Sequence, residues 1–323
     1  MLQRMVCVSP PGDTGTIFTL SFVLRNSQFE LRTSNFVLGN SSFDLRTSLF
    51  SGVLHCAPMP TWKLTIEYKG TRYLGWQEQK QGRTVQGALR EAAENYFDEK
   101  IDLGGSGRTD AGVHALAQVA HLRAVKKRST EPIQAALNER LPSDIHILKV
   151  ESVAERFHAR HSAIARQYLY QISTRRTAFS KDYVWWVKSR LDLARMEQCA
   201  QVFVGKHDFH NFTERPGEQG STLVVVEDLR LKPVEDLILV RFAASHFLWK
   251  MVRRVVGVLV QVGIGTLKVE AVSQFLNKPP AEVGQWTAPA AGLFLERVLY
   301  PGESRSDEIR PAVPVHRVDG HRL

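Results

Sequence analysis

Cysteine is scarce in this sequence, and the few cysteines that occur are far apart. Cys7, Cys56 and Cys199 are the three found in 323 residues, and no CxxC pair occurs. This usage excludes a disulfide framework and a thiolate zinc site, and it is typical of a reducing compartment. We therefore expect a cytoplasmic protein.

Long apolar runs are also missing. The longest, from Val255 to Gly265, covers 11 residues and is interrupted by Gln261, whereas a membrane-spanning helix needs about 20. The shorter apolar patch Ile17–Leu24 follows Asp13 and lacks a small-residue cleavage pattern, so it is a poor match to a signal peptide. We expect no membrane partner.

Acidic residues are outnumbered, which gives the chain a formal net charge of +9. The excess is concentrated between Arg156 and Arg190, where eight basic residues and seven aromatic ones accompany a single acid, Asp182. Cationic side chains neutralise phosphates, and aromatic rings offer bases a surface for stacking. This composition favours a nucleic-acid partner, and the alternative is a solvated basic face over an aromatic core.

The first 58 residues differ in character from the rest. Asn26–Ser34 and Asn40–Ser48 form a tandem repeat with a 14-residue period, and two copies are too few to build a solenoid. We expect residues 1–58 to be a low-complexity extension outside the fold. Met59 then marks the functional start, after translated upstream repeat DNA. The alternative is a genuine extension for targeting or partner binding.

From Met59 onward, strand-like and helix-like patterns alternate. The predicted strands lie near 62–68, 117–122, 145–152, 164–173, 222–231, 236–243 and 293–299, and the predicted helices cover 85–97, 130–141, 193–204, 246–262 and 269–276. Thr84, Asp192 and Ser245 are the expected N-caps. The pattern predicts an α+β fold with two similar halves, 59–162 and 163–303. Each half is a mostly antiparallel sheet with helices on one face, and the active-site cleft lies between them. Residues 304–323 read as a polar tail.

A glycine-rich loop, Gly104–Gly112, carries the first candidate for chemistry. It lacks the third glycine and the following helix of a dinucleotide-binding fingerprint, and it contains no Walker-type Gly-Lys-Ser/Thr. What remains is Asp110 close to Arg108. Such a cation would hold the carboxylate ionised, as a nucleophile or base requires. The alternative is a structural Asx turn that is salt-bridged to the arginine.

Two histidine pairs invite comparison with metal sites. His158 and His161 are three residues apart, as are His207 and His210, but neither pair has an HExxH arrangement or nearby cysteines. Zinc sites are built from such arrangements. We therefore expect no metal.

Beyond these separate patterns, a series of motifs resembles the tRNA pseudouridine synthase A family. The motifs are Gly105–His114, Glu67-Tyr68, Tyr73–Gln77, Thr84–Gln86, Leu141–Ile145, Phe157–Arg160, Arg166-x-Tyr-x-Tyr170, Met251–Gly257 and Gly292–Leu295. They occur in the family's order and span about Met59 to Gly302, whereas residues 1–58 have no counterpart.

This resemblance implies a pseudouridine synthase fold and a concrete reaction. The family isomerises uridines 38, 39 and 40 in the tRNA anticodon stem-loop to pseudouridine by detaching uracil from C1′, rotating it and rejoining it through C5. It uses no cofactor and no metal. Family members form homodimers, so a homodimer that binds tRNA is expected.

The resemblance also implies roles for individual residues. Asp110 is the catalytic nucleophile, and whether it attacks C1′, adds to the base or assists elimination to a glycal is left open. Arg108 is expected to occupy the space of the flipped base. Tyr168 stacks on the uracil and helps to remove the C5 proton, and Arg253 pairs with Asp110.

Further positions resemble the family's tRNA contacts. They are Arg128 of the basic run 126–128, Phe157, His158, Ala159, Arg160 and His161. The loop between Phe209 and Leu223 is variable in the family, so its contacts are not transferred. Three rival functions remain at this point: a non-catalytic RNA-binding protein, another uridine-directed enzyme such as a methyltransferase, and the same chemistry at other RNA positions.

Overall fold

The computed structural model describes residues 59–214, 221–276 and 281–316, together with three N-terminal stretches at 2–7, 18–25 and 28–30. Two compact units are present, Met1–Cys56 and Ala57–Leu323.

The first unit contains a small antiparallel sheet. Its strands are β1 (Leu2–Cys7), β2 (Phe18–Arg25) and β3 (Gln28–Glu30), paired in that order. The predicted tandem repeat lies outside the described residues, apart from the three residues of β3. The interpretation of residues 1–58 as an extension therefore stays a prediction.

The described part of the second unit contains ten strands and five α-helices. The strands are β4 (Thr61–Tyr68), β5 (Asp102–Gly105), β6 (His114–Arg123), β7 (Ile145–Val153), β8 (Ala165–Ser173), β9 (Trp185–Trp186), β10 (Gly205–Asp208), β11 (Leu223–Val234), β12 (Leu237–Ala244) and β13 (Leu293–Leu299). The helices are α1 (Val85–Phe97), α2 (Thr130–Arg140), α3 (Leu193–Val202), α4 (Met251–Ile264) and α5 (Val269–Phe275). All the predicted elements are present, and β5, β9 and β10 are additional.

All ten strands belong to one mixed sheet. Its order is β10-β11-β12-β8-β13-β6-β4-β7, with β5 paired to β6 and β9 paired to β8. The β13–β6 and β8–β9 pairs are parallel, and the other pairs are antiparallel. The C-terminal strand β13 thus joins the two predicted halves edge to edge. The predicted α+β class is confirmed, and the boundary between the halves at residue 163 stays a prediction.

The central strand β8 is buried on both faces of this sheet. Tyr168 and Tyr170 belong to the large core cluster, to which the helices contribute. Leu169 points to a second, smaller cluster that contains no residue of the five helices. The helices therefore cover one face of the sheet, as predicted for an α+β fold of this kind.

Residues 304–316 do not form the predicted polar tail. Ile309 and Val315 are buried in the second cluster against the helix-free face of the sheet. The buried Arg241 donates a hydrogen bond of 2.9 Å to the carbonyl of Ser306 and a second bond to the carbonyl of Glu308. The apolar side chains on this face of the central strands are more stable when they are removed from water, and Ile309 and Val315 of this otherwise polar segment pack over them.

Two helices begin where their caps predict, and one does not. The Thr84 hydroxyl accepts from the Gly87 amide before α1, and the Asp192 carboxylate accepts from the Arg195 amide before α3. The predicted start of α4 at 246 with Ser245 as its cap is wrong. Ser245 instead donates its amide to the carbonyl of Val225 in β11, at 3.0 Å, so the chain stays paired to the sheet and α4 begins five residues later. None of the helices in the described ranges combines the length and apolarity of a bilayer span.

Candidate active site

The loop that carries Asp110 is fixed by the segment Tyr73–Trp76. The Trp76 amide donates to the carbonyl of Thr109 at 3.1 Å, and the Tyr68 and Thr109 hydroxyls are 2.8 Å apart. Gly75 lies beside the loop with φ +98°, and a Cβ there would come within 2.3 Å of the Thr109 carbonyl oxygen. Only glycine combines this backbone conformation with so close an approach. The position of Asp110 is therefore set by a second loop in the same half of the sheet.

Asp110 faces Arg253, which comes from α4 in the other half of the chain. The Arg253 Nη1 atom lies 3.2 Å from Asp110 Oδ2, and the two side chains are only 16% and 18% exposed. The Arg253 Nε atom donates to the Ala288 carbonyl at 2.7 Å, which fixes the guanidinium. The adjacent Arg254 points elsewhere and donates to the Thr213 carbonyl at 2.8 Å. The structure thus brings the predicted pair together across the sheet.

Burial and the nearby positive charges have opposite effects on the pKa of the Asp110 carboxyl. Burial raises the pKa of its carboxyl above the ordinary value, while the charges of Arg253 and Lys250 and a hydrogen bond from the Trp249 side chain oppose that rise. The expectation that Arg108 holds Asp110 ionised is wrong. Its side chain is exposed and forms no hydrogen bond or ion pair with any described residue. Arg253 is the cation at the carboxylate.

Tyr168 lies in β8, near enough to Asp110 for the two groups to interact electrostatically, and is 7% exposed. Its ring meets Phe247 edge to face, with centroids 4.8 Å apart. Burial is the main reason that its pKa rises far above the ordinary value, and the neighbouring Tyr68 and Asp110 raise it further. The phenol therefore keeps its proton at neutral pH.

Sequence reasoning named a third arginine, Arg166, only as part of a family motif and gave it no role, and its side chain is buried. Its guanidinium donates to four backbone carbonyls, those of Ser106 at 2.9 Å, Arg160 at 2.7 Å, Ser245 at 3.2 Å and Ala163 at 3.4 Å. The acceptors belong to the Asp110 loop, to the segment 157–163 and to the connection before α4. Its place in β8, two residues before Tyr168, is the signal that could have identified it, since alternate residues share a face.

Trp249 and Lys250 were also missed, because a helix was predicted across them. Lys250 has a left-handed backbone, with φ +62°, and forms an ion pair with Glu214. Both residues act on the Asp110 carboxyl from the segment that precedes α4. Irregular backbone next to a charged site is common where side chains have to be aimed.

The predicted tRNA contacts differ in exposure. Arg128, Arg160 and His161 are exposed, and Phe157 and His158 are half-buried. The side chain of Ala159 has no exposed surface, and a tRNA contact at this residue stays a prediction. Its backbone is fixed on both sides, because its amide donates to His121 Nδ1 at 3.2 Å and its carbonyl accepts from the Tyr300 hydroxyl at 2.7 Å. This residue holds the segment in place rather than facing solvent.

The rings of three histidines near this segment pack against one another at tilted angles. The His158 ring lies 4.4 Å from that of His121 and 4.3 Å from that of His161. Burial, with help from the charge of Arg123, lowers the pKa of His121 to about 4, so its ring is neutral. Among the residues that the structure describes, no group of three or more His, Cys, Asp or Glu is arranged to hold a metal ion.

Comparison with known proteins agrees with this geometry. A family model described as tRNA pseudouridine synthase matches residues 64–162 and 199–301. A protein named tRNA pseudouridine synthase A 2 from Clostridium perfringens is 39% identical over 241 residues, which cover 74% of this chain and 98% of that protein. Proteins named tRNA pseudouridine synthase A from Thermodesulfovibrio yellowstonii and Brucella ovis are each 38% identical, over 74% and 75% of this chain and 98% of their own lengths.

Proposed function

The chain belongs to the tRNA pseudouridine synthase family, and from this premise we propose that it converts uridines 38, 39 and 40 of the tRNA anticodon stem-loop to pseudouridine, with Asp110 as the nucleophile. The enzyme is an isomerase. The reaction breaks the N1–C1′ bond and forms a C5–C1′ bond, while C5 loses a proton and N1 gains one. Product and substrate have the same composition, so no oxidant, reductant or group donor is consumed.

The observation that carries the proposal is the Asp110–Arg253 pair at 3.2 Å. A nucleophilic carboxylate has to be ionised, and burial alone would favour the protonated acid. Arg253 opposes this effect of burial on the pKa of Asp110, and the Trp249 hydrogen bond acts in the same direction. The Ala288 carbonyl fixes the Arg253 guanidinium. The guanidinium therefore holds one oxygen of the Asp110 carboxylate in a constant orientation throughout the reaction.

Tyr168 supplies a flat surface next to the carboxylate. A uracil that enters the site can stack on its ring, against which Phe247 packs nearly at right angles. Since its raised pKa keeps the phenol protonated, the resting enzyme offers a neutral hydroxyl. Help with removal of the C5 proton then requires that the phenol pass its own proton on as the new bond forms.

A uridine in a stem is out of reach until it leaves the helix. Extrusion costs unstacking energy, which the protein offsets by filling the vacated space and gripping the backbone. The exposed Arg108, which has no partner among the described residues, lies two residues before Asp110 in the sequence and is suited to the first task. Arg128, Arg160 and His161 are exposed and suited to contact phosphates, with Phe157 and His158 beside them.

The proposal includes a homodimer that binds tRNA in the cytoplasm. The predominance of cations fits a polyanionic partner. Sedimentation of the purified protein, alone and with tRNA, tests the dimer directly. A monomer at all concentrations would remove that part of the proposal and leave the chemistry intact.

Transcripts that keep a single uridine at position 38, 39 or 40 test the site of action. Each should be modified, and a transcript with cytidine at all three positions should not. Primer extension after carbodiimide treatment locates the product. Pseudouridine at other positions would show that the enzyme acts at an RNA site other than the anticodon stem-loop. Binding of tRNA without any product would favour a non-catalytic RNA-binding protein.

A further inference from the structure

The basic and aromatic stretch between Arg156 and Arg190 divides into buried and exposed parts in the structure. Tyr168 and Tyr170 are in the core, whereas Phe179 is 98% exposed and Trp186 is 40% exposed. Both exposed rings follow β8. Almost the whole surface of the Phe179 side chain is therefore available for contact with another molecule.

Exposed cations accompany these two rings in the sequence. Arg176, Lys181, Lys188 and Arg190 are exposed, and none forms an ion pair within the described part of the chain. The nearby acids are engaged, since Asp182 pairs with Lys69 at 2.9 Å and Asp236 pairs with Arg175 at 3.0 Å. We name these four cations together with Phe179 and Trp186 the basic-aromatic surface.

This surface lies outside the pocket that contains Asp110. Trp186 in β9 is paired with Ser173 at the end of β8, and Tyr168 lies five residues earlier on the same strand. At about 3.3 Å per residue the separation along the strand is roughly 17 Å. A nucleotide that stacks on Tyr168 therefore cannot reach Trp186, but more distant parts of the same RNA can.

We propose that the basic-aromatic surface is a second RNA-contacting surface, which binds the phosphate backbone and an exposed base of the tRNA away from the nucleotide that reacts. The proposal rests on the function proposed above. Arg176 and Lys181 contact phosphates, and Phe179 stacks on a base or ribose. The Arg176 guanidinium lies over the Trp186 ring, 5.8 Å from its centroid, and this contact orients it.

The chemistry of the surface favours RNA over an acidic protein segment. Unpaired cations match regularly spaced phosphates, and the almost fully exposed Phe179 ring suits a base, which has a stacking face of its own. A grip at this distance from the pocket would hold the tRNA during extrusion of the target base. It contributes to affinity rather than to the rate of the chemical step.

The test separates charge from stacking with two variants of the full chain. One is the double variant Arg176→Gln with Lys181→Gln, and the other is Phe179→Ala. The matched control removes two charges elsewhere, with Lys100→Gln and Lys149→Gln. Both control lysines are exposed and paired with a glutamate, so no unpaired cation is lost. Equilibrium binding of a tRNA transcript is measured at several salt concentrations, and turnover is measured under single-turnover conditions at saturating enzyme.

For the double variant we expect about tenfold weaker binding at 0.1 M salt and a salt slope reduced by about two, one for each phosphate contact. For Phe179→Ala we expect about fivefold weaker binding or more with an unchanged slope, because stacking releases no counterions. The single-turnover rate at saturation should match that of the wild type in both.

Three outcomes would overturn the proposal. Affinity and slope equal to those of the control would show that the surface makes no RNA contact. A changed association state of Phe179→Ala in sedimentation would assign the surface to contact between copies of the chain. A lower rate at saturation would place the surface in the catalytic step. Failure of the proposed function is distinguishable, because the wild type would then form no pseudouridine in any tRNA.

Discussion

Asp110 has to be ionised at a position where burial favours its protonated form. The raised pKa of its carboxyl follows from burial, and the Arg253 charge opposes it. Activity that depends on the carboxylate is therefore lost as the pH falls through this raised pKa, at a higher pH than an exposed aspartate would allow.

Arg253→Gln should raise the pKa of Asp110 further, since the main opposing charge is removed. The acidic limb of the kcat profile then moves to higher pH, and the plateau falls because the carboxylate is no longer aimed. Arg254→Gln is the matched control, with the same charge change one residue along α4 but no contact with Asp110. If the acidic limb moved equally in both variants, the shift would come from the loss of any nearby positive charge rather than from the Asp110–Arg253 pair.

Tyr168→Phe keeps the ring and its contact with Phe247 but removes the hydroxyl. We expect turnover to fall about 100-fold or more, as is usual for the loss of a proton-transfer group, with tRNA affinity and thermal stability nearly unchanged. Quenched single-turnover kinetics measure the turnover, and equilibrium binding and thermal unfolding of the same preparation measure the tRNA affinity and the stability. Wild-type rates would reduce Tyr168 to a stacking and packing residue.

The sequence predicted some contacts of the site residues correctly and others wrongly, and the difference has physical reasons. Asp110 and Arg253 were identified because their motifs resemble a family, and the structure brings them within 3.2 Å. Composition and spacing alone left Asp110 open between a catalytic group and a structural turn. The assignment of Arg108 as the cation at Asp110 failed because neighbours in sequence on a loop need not face each other.

At the scale of elements, helix α4 carries Arg253 into the site and depends on a close backbone contact. Gly257 is packed so closely that a Cβ there would lie 1.6 Å from the Trp286 carbonyl oxygen. Ala288, two residues after Trp286, makes two hydrogen bonds with Arg253. Its carbonyl accepts from the Arg253 Nε atom, and its amide donates to the Arg253 carbonyl. The glycine therefore controls the support of the arginine as well as the helix packing.

Gly257→Ala should destabilise the protein by about 1–3 kcal/mol through overpacking and should lower activity more than its stability change explains. Chemical denaturation and turnover below the unfolding transition give the two values. Gly284→Ala is the control, because the added Cβ there meets only ordinary contacts. Equal losses in both variants would contradict the packing argument.

Local signals predicted the elements whose ends are decided locally. Thr84 and Asp192 cap α1 and α3 as expected, because a cap acts within three residues. The start of α4 and the burial of Ile309 and Val315 against the sheet were mispredicted, since both depend on distant partners. The placement of β13 between β8 and β6 likewise joins residues that lie far apart in the chain.

At the scale of the whole molecule, the family match begins at residue 64 and falls within the unit Ala57–Leu323. A chain that begins at Met59 should therefore fold and retain turnover within about a factor of two, since every residue of the family match is kept. Circular dichroism and turnover on tRNA check this. A large loss of activity or solubility would assign a role to residues 1–58.

The most direct measurement of the central claim is tritium release from tRNA labelled at uridine C5, with the wild type and Asp110→Asn compared side by side. Formation of pseudouridine displaces the label from C5. We predict release by the wild type, none by Asp110→Asn, and tRNA affinities within a few-fold of each other, as loss of a group needed only for chemistry implies. Comparable release by both proteins would contradict the role of Asp110, and no release by either would contradict the reaction itself.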